Sequence, residues 1–413
     1  MVALSAKKTD ARNIVVGAIL PTLAAVFLIL AGYDTFRLMA TALNQRLFDK
    51  EQIAAESSED LARLQSSERA VRSEREQQAL QANPLDHGPL YNLAALARAD
   101  GKSKLADELI LLAADRSLRD SRLLGQALPI FLRRRDFAGA LYRIDGLARS
   151  KPEFLPQLLP VMAALAETKE GISALVTVLA QDPPWRAQIV GHLSRETRRP
   201  VIAYRLLSGL RTTPAPPTTD EVRALLAGFI ANRDYETAYF VWLDFLADGE
   251  LRKVSHIFDG GFDLEPKNLF FDWTYEPIKN VDLRILPRSE TNAADRILSI
   301  EFLNPRTRFA NLWQLLRLSP GSYLFAGEVK TEYEQINGGL VWRLYCIGDK
   351  EQLVAQTSRS QAQGWARFEL SLEIPDSGCD TQRIQLELDT RAVLDHQIKG
   401  RVSYDNLTIT PRR

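Results

Sequence analysis

A repeat of about 34 residues constrains the first half of this chain more than any other feature of the sequence. Five alanines recur in similar local settings, 34, 34, 29 and 35 residues apart. They are Ala106, Ala140, Ala174, Ala203 and Ala238. Apolar or small residues also stand twelve and thirteen positions before each alanine. A period of this length predicts two helices per unit, stacked into a solenoid, with one small residue per unit at a close helix contact.

Two sequence signals in this region resemble the tetratricopeptide repeat. The turn Arg-Asp-Phe/Tyr-x-x-Ala occurs at 135–140 and 233–238, and Pro84-Leu85-Asp86 marks the start of the array. The resemblance is degenerate, since leucines replace the aromatic residue of the first helix. It implies a helical solenoid over residues 83–254, on which a protein partner docks. A rigid spacer without a partner is the alternative.

The spacing of apolar residues changes near residue 255. Apolar and polar residues alternate along 366–374 and again along 383–389. Such alternation is typical of strands with one buried and one solvated face. Residues 255–413 therefore predict an antiparallel β-sandwich.

Short phrases in this block resemble the galactose-binding-like jelly roll of carbohydrate-binding modules. They are Phe258-Asp259-Gly260-Gly261-Phe262-Asp263, Phe271-Asp272-Trp273 and the closing Asp405-Asn406-Leu407. The resemblance implies sugar binding through exposed rings. Trp273, Tyr275 and Trp365 are the candidates, because they lie near predicted loops or strand ends; a place in the core is the alternative for each.

The same resemblance implies a structural calcium ion, with Asp263 and Asp405 as its carboxylate ligands. Two capped turn aspartates are the alternative. No other cofactor is expected.

The two cysteines, Cys346 and Cys379, both lie near the C-terminus. Outside the cytoplasm a disulfide between them is permitted, while two buried free thiols are equally compatible with the sequence.

The four histidines lack metal-ligand spacing, and the chain has no nucleophile elbow and no phosphate-binding loop. These patterns predict a protein that is not an enzyme. Lys and Arg equal Asp and Glu, 52 against 52, so no net charge attracts nucleic acid.

Residues 14–33 form a run of twenty residues without a charge. As a helix rising 1.5 Å per residue, this run matches the roughly 30 Å hydrocarbon core of a bilayer. Lys7, Lys8 and Arg12 precede it, so the positive-inside rule predicts a cytoplasmic segment 1–13 and a single-pass anchor. A cleaved signal peptide and a buried soluble helix are the alternatives. The polar residues 34–82 predict a helical stalk.

Together these patterns predict a multidomain α-then-β protein: a transmembrane helix, a helical solenoid and an antiparallel jelly roll. We expect a scaffold in the inner membrane of a bacterium, with the bulk of the chain in the periplasm. Its repeats would dock a protein, and its sandwich would bind a glycan or another subunit, in the synthesis or export of envelope polysaccharide. A purely structural adaptor and a cryptic polysaccharide-processing enzyme are the two alternatives.

Overall fold

The computed structural model describes residues 65–117, 120–195, 200–289, 292–304, 307–336, 339–348, 350–359, 362–389 and 398–412. The predicted segments 1–13 and 14–33 and most of the predicted stalk lie outside these residues. Within them, no helix is both long enough and apolar enough to cross a bilayer. The chain divides into two compact units, and each is considered by itself below. The first runs to Leu193 and includes Val201–Pro216; the second comprises Ser194–Pro200 and Pro217–Arg413.

Paired helices make up the described chain as far as Leu210. In order, they are α1 (Ser66–Ala82), α2 (Gly88–Ala99), α3 (Ser103–Arg116), α4 (Ser121–Arg133), α5 (Phe137–Ser150), α6 (Leu155–Leu165), α7 (Lys169–Leu179), α8 (Arg186–Arg195) and α9 (Pro200–Leu210). A short 3₁₀ turn, Pro152–Phe154, precedes α6. The predicted two-helix units are therefore helical as expected, while the tetratricopeptide assignment stays a prediction.

The repeated Arg-Asp turn has a simple physical basis. Arg135 and Arg233 adopt positive φ angles of 56° and 59°, which reverses the chain after a helix. The following aspartate then caps the next helix. The side chain of Asp136 accepts a hydrogen bond from the backbone N–H of Gly139 at 2.8 Å. The side chain of Asp234 accepts one from the N–H of Thr237 at 3.2 Å. Two residues thus end one helix and begin the next.

Four of the five periodic alanines are fully buried, as predicted: Ala106, Ala140, Ala203 and Ala238. Ala174 is only half-buried, so its predicted role at a helix contact is wrong. In that unit the close approach occurs at Gly171, where a Cβ atom would lie 2.1 Å from the carbonyl oxygen of Leu165. The glycine, rather than the alanine, is the small residue that lets α7 approach the end of α6.

This difference between two alanines makes a direct prediction. Replacing Ala140 with Leu should overpack a closed contact and lower the free energy of unfolding by about 1–3 kcal/mol. The same change at Ala174 should cost less than about 0.5 kcal/mol, because its side chain reaches solvent. Chemical unfolding of the two purified variants measures both values. Equal losses in the two variants would show that the contact is not confined to Ala140.

The sandwich consists of two five-stranded antiparallel sheets. Its strands are β1 (Thr274–Tyr275), β2 (Val281–Ser289), β3 (Asn292–Phe302), β4 (Leu312–Leu316), β5 (Gly321–Ile336), β6 (Gly339–Ile347), β7 (Glu351–Gln356), β8 (Ala366–Ile374), β9 (Gln382–Asp389) and β10 (Ile398–Pro411). Sheet A has the order β1-β4-β9-β6-β7, and sheet B has the order β2-β3-β10-β5-β8. Apolar side chains from both sheets form one core between them, including Leu344 and Leu386 of sheet A and Ile300, Phe325 and Val402 of sheet B. The predicted antiparallel sandwich is confirmed.

Three more helices belong to the second unit: α10 (Thr219–Ala231), α11 (Tyr235–Asp244) and the short α12 (Asp248–Leu251). Trp242 of α11 packs edge-on against Phe258, with ring centroids 5.1 Å apart, and lies 5.7 Å from the ring of Phe271. On α10, the side chain of Arg223 donates hydrogen bonds to the backbone carbonyls of Lys267 and Asn268. The compact unit therefore starts well before residue 255, the predicted start of the sandwich.

A disulfide joins Cys346 at the end of β6 to Cys379, which precedes β9. The two Cα atoms are 4.9 Å apart, and 33 positions separate the cysteines in the sequence. Both residues are buried at the sandwich core. The disulfide closes a long loop that contains β7 and β8.

Candidate functional site

The surface of sheet A that faces away from the core carries a cluster of aromatic and polar side chains. Along β6, Trp342 and Leu344 point into the core, so Arg343 and Tyr345 point outwards. The same alternation on β4 and β9 places Trp313 and Gln385 outside. We call this surface the outer face of sheet A.

Strand register aligns these side chains into a row. Trp313 of β4 lies opposite Gln385 of β9, which lies opposite Arg343 of β6, which lies opposite Gln356 of β7. With neighbouring strands about 4.8 Å apart, the row crosses roughly 14 Å of the sheet. In the adjacent row, Tyr345 lies opposite Arg383. The outer face therefore presents two aromatic rings with amides and guanidinium groups between them.

Ion pairs hold the polar side chains of this face in place. Arg343 donates to Glu387, to Asp389 at 2.8 Å and to the amide oxygen of Gln356 at 3.1 Å. Arg359 donates to the other oxygen of Asp389 at 2.8 Å. Because each group has several partners, the network fixes the orientation of its side chains before any ligand arrives.

Hydrogen bonds and an ion pair also fix the side chains of the adjacent row, in which Tyr345 lies opposite Arg383. Both terminal nitrogens of Arg383 donate to Glu351 at 2.8 Å, and the guanidinium carbon of Arg383 lies 5.4 Å from the centre of the Tyr345 ring. The Tyr345 hydroxyl donates to Glu387 at 2.8 Å. Burial, together with this hydrogen bond, raises the pKa of Tyr345, so the phenol keeps its proton. Burial disfavours the charge of Arg343, but its carboxylate partners outweigh that effect and raise the pKa of Arg343.

One polar group in the middle of the row lacks a partner. The Gln385 side chain is 8% exposed, and its amide nitrogen donates to the carbonyl oxygen of Ala310. Its amide oxygen is buried and has no hydrogen-bond partner among the residues that the structure describes. A buried acceptor without a donor costs about 1–3 kcal/mol.

Trp273, one of the three predicted sugar-binding rings, is a core residue instead. It is 2% exposed, stacks on Phe262 and donates its indole N–H to the carbonyl oxygen of Asp259 at 3.1 Å. Because the ring is enclosed and its one donor is satisfied, the prediction that it is exposed for sugar stacking is wrong.

The other two predicted rings have only part of their surface free. Tyr275 of β1 is half-buried and packs against the sandwich core. Trp365 is half-buried, and the guanidinium of Arg288 lies 4.4 Å from its ring centre. Neither ring lies on the outer face of sheet A beside Trp313. Their predicted contact with a glycan stays a prediction.

The two aspartates predicted to bind calcium each have a cation from this chain as a partner. The carboxylate of Asp263 accepts from Lys253, and that of Asp405 accepts from Arg288, which also donates to Glu328 at 2.8 Å. Asp405 is 1% exposed, and burial raises its pKa despite the attraction of Arg288.

The segments that contain these aspartates do meet, but through the backbone. The N–H of Leu407 donates to the carbonyl oxygen of Gly260 at 2.8 Å, and a Cβ atom on Gly260 would lie 1.8 Å from the oxygen of Leu407. Calcium requires six to eight oxygen ligands, and no three acidic, histidine or cysteine side chains converge within the described parts of the chain. The residues present therefore do not fit the predicted calcium ion, because Arg288 and Lys253 already balance the two carboxylates.

Comparisons with known proteins concern the C-terminal portion of the chain. No protein-family model matches the sequence, and no curated protein matches it. A CBM4 structure is similar over 38% of this chain and 99% of its own, with 16% identity and a TM-score of 0.29. A family 61 carbohydrate-binding module in complex with β-1,4-galactotriose covers 38% of this chain and all of its own (100%), with 14% identity and a TM-score of 0.26. A sugar-binding protein from Bacteroides thetaiotaomicron covers 39% of this chain and 95% of its own, with 9% identity and a TM-score of 0.26.

The sequence contained a signal for the outer face that the interpretation above did not use. The alternation that places Trp342 in the core also places Arg343 and Tyr345 on the opposite face of the same strand. The polar residues Glu387 and Asp389 of β9 had the same local signal. What the sequence could not supply was the order β4-β9-β6-β7, which brings these strands together.

Proposed function

We propose that the outer face of sheet A binds a glycan without catalysing its conversion. The observation that carries this proposal is the row of side chains in which Trp313 and Arg343 flank Gln385, with the Tyr345 ring alongside. Sugar rings have apolar faces that stack on aromatic side chains and hydroxyl groups that require donors and acceptors at their edges. The outer face offers both.

The charges of this face favour an uncharged glycan. Three arginines face three carboxylates there: Arg343, Arg359 and Arg383 against Glu351, Glu387 and Asp389. Every one of these cations has a carboxylate partner on the face itself. An anionic sugar would have to break such a pair and leave a half-buried carboxylate without its cation.

Catalysis is not part of this proposal, because Glu387 and Asp389 both accept hydrogen bonds from Arg343. A glycosidase needs one carboxylic acid that is free to protonate the leaving oxygen. A polysaccharide-processing enzyme remains an alternative, and hydrolysis of a polysaccharide by the purified protein would support that alternative instead.

Trp313→Ala tests the glycan proposal. Losing the stacked ring should weaken binding of a neutral polysaccharide by about 10–100-fold, which corresponds to roughly 1–3 kcal/mol. Tyr142→Ala is the control, because it removes an exposed aromatic ring that lies on α5 of the helical repeats and is not part of sheet A. Affinity gel electrophoresis and calorimetry with purified protein measure both variants. If the folded protein binds no neutral glycan at millimolar concentration, the purely structural adaptor takes the place of this proposal.

We further propose that residues 14–33 anchor the protein in a bacterial inner membrane, with the repeats and the sandwich in the periplasm. The charges at Lys7, Lys8 and Arg12 support this topology. The helical repeats would dock a protein partner there, and a role in envelope polysaccharide synthesis or export suits the combination. A reporter that is active only in the periplasm, fused after Arg413, tests the topology; an active cytoplasmic reporter at that site would contradict it.

A further inference from the structure

The second compact unit also contains a cavity, which lies between α11 and the end of β4. It encloses about 360 Å³ and is lined by Tyr239 and Trp242 of α11, by Phe258 and Phe271 of the connecting segments, and by Gln314 and Arg317 around β4. Known small-molecule sites occupy about 300–1,000 Å³ and combine apolar walls with a few polar groups. Ser255 and His256, both exposed, lie at its rim.

The described side chains that line this cavity include donors but no carboxylate. The described residues that line it include no Asp or Glu. Gln314 uses both ends of its amide on the backbone of Phe258, at 2.8 and 3.1 Å. The Ser255 hydroxyl donates to the carbonyl oxygen of Ile257. A sugar or alcohol would need acceptors for its hydroxyl groups, and the cavity wall supplies few of them.

Arg317 supplies the positive charge. Its nearest described carboxylate is that of Glu236, whose oxygen lies 3.4 Å from a terminal nitrogen of Arg317 and whose side chain is 67% exposed. An ion pair of this kind, largely in water, contributes little. The indole N–H of Trp242, in the cavity wall, is buried and has no acceptor among the described residues. Burial raises the pKa of Tyr239, although Arg317 opposes the shift, so its hydroxyl stays protonated and able to donate.

We infer that this cavity binds a small organic carboxylate with an apolar or aromatic body. The carboxylate pairs with Arg317 in place of Glu236, and the body lies against the aromatic wall that Tyr239 and Trp242 form. A carboxylate accepts hydrogen bonds and donates none, which matches the guanidinium of Arg317 and the hydroxyl of Tyr239 as donors. A planar guanidinium also binds a carboxylate through two parallel hydrogen bonds. This inference is independent of the proposed glycan site, which lies on other residues.

Tryptophan resonances of the full-length protein test this inference. The chain contains six tryptophans, so incorporation of 5-fluorotryptophan gives six fluorine signals, each assigned by a single Trp→Phe variant. Titration with benzoate should shift the Trp242 signal in a saturable way. The Trp342 signal is the internal control, because its indole N–H is also buried and unpartnered but Trp342 does not line the cavity. Benzamide, which has the same shape without the charge, should bind at least tenfold more weakly.

Two variants link the response to Arg317. Arg317→Gln should weaken benzoate binding at least tenfold, whereas Glu236→Gln should tighten it a few-fold by removing the competing carboxylate. Arg401→Gln is the matched control, because this arginine pairs with Glu301 on sheet B and does not line the cavity. The inference is overturned if benzoate causes no saturable shift of Trp242, if benzamide binds equally well, or if Arg317→Gln binds as the unmodified protein does. Loss of glycan binding in Trp313→Ala leaves this result untouched.

Discussion

Removing the disulfide between Cys346 and Cys379 should lower the free energy of unfolding of the second unit by about 4 kcal/mol. The two cysteines are 33 positions apart, and the loop-closure entropy of an unfolded chain of that length accounts for a loss of this size. The double variant Cys346→Ala/Cys379→Ala tests it by urea unfolding. Tryptophan fluorescence is a suitable signal, because every tryptophan except Trp185 lies in the second unit.

The unmodified protein in a reducing agent is the control for this variant. If the cross-link itself stabilises the unit, the reduced protein and the double variant should unfold at similar urea concentrations. A loss below about 1 kcal/mol in the variant would mean that the unfolded state gains little freedom when the link is absent.

The stability of the second unit should also fall as the pH rises from about 4 to about 7, because of Asp272. Its side chain is 4% exposed, and burial raises its pKa from 3.8 to about 6, although the N–H groups of Lys267 and Leu269 donate to it. The folded state therefore binds this proton more tightly than the unfolded state. The stabilising contribution is fully present below pH 3.8 and is lost as the pH rises through about 6.

A difference of about two pKa units corresponds to about 3 kcal/mol. Asp272→Asn stays uncharged, so the loss of stability between pH 4 and pH 7 should shrink by about that amount relative to the unmodified protein. Asp376→Asn removes an exposed carboxylate and should leave the pH dependence unchanged. Urea midpoints of the three proteins across this pH range measure the effect. Parallel curves for Asp272→Asn and the unmodified protein would contradict the assignment.

Local rules explain why part of this fold was predictable. The Arg-Asp turns need only neighbouring residues, one in a left-handed conformation and one capping the next helix, so the repeat is visible in the sequence. Alternation likewise distinguishes the core-facing from the outward-facing residues of β8 and β9, and the structure confirms the alternation, although the outward-facing Gln385 of β9 is buried. The rule failed at Ala174, because the small residue of that unit is Gly171 and its close contact with Leu165 is set by how the two helices meet.

The candidate site was less predictable, because it depends on strand order and on partners distant in sequence. Trp313 and Arg343 share a row only because β9 lies between their strands. Trp273 was misjudged because its indole N–H finds the carbonyl of Asp259. For Asp405, a predicted calcium ligand, the partner in this structure is Arg288, which lies more than a hundred positions earlier in the sequence.

The contact of Trp242 with Phe258 and Phe271 restricts how this sandwich can be inherited. A recombination event that transferred residues 255–413 alone would carry two buried phenylalanines into a new chain without the tryptophan that covers them. Each large aromatic residue buries roughly 150–250 Å² in a folded protein. The transferred segment would therefore expose an apolar surface that promotes aggregation. A transfer that includes α10 and α11 would keep these aromatic contacts intact, because both helices belong to the same compact unit as the sandwich.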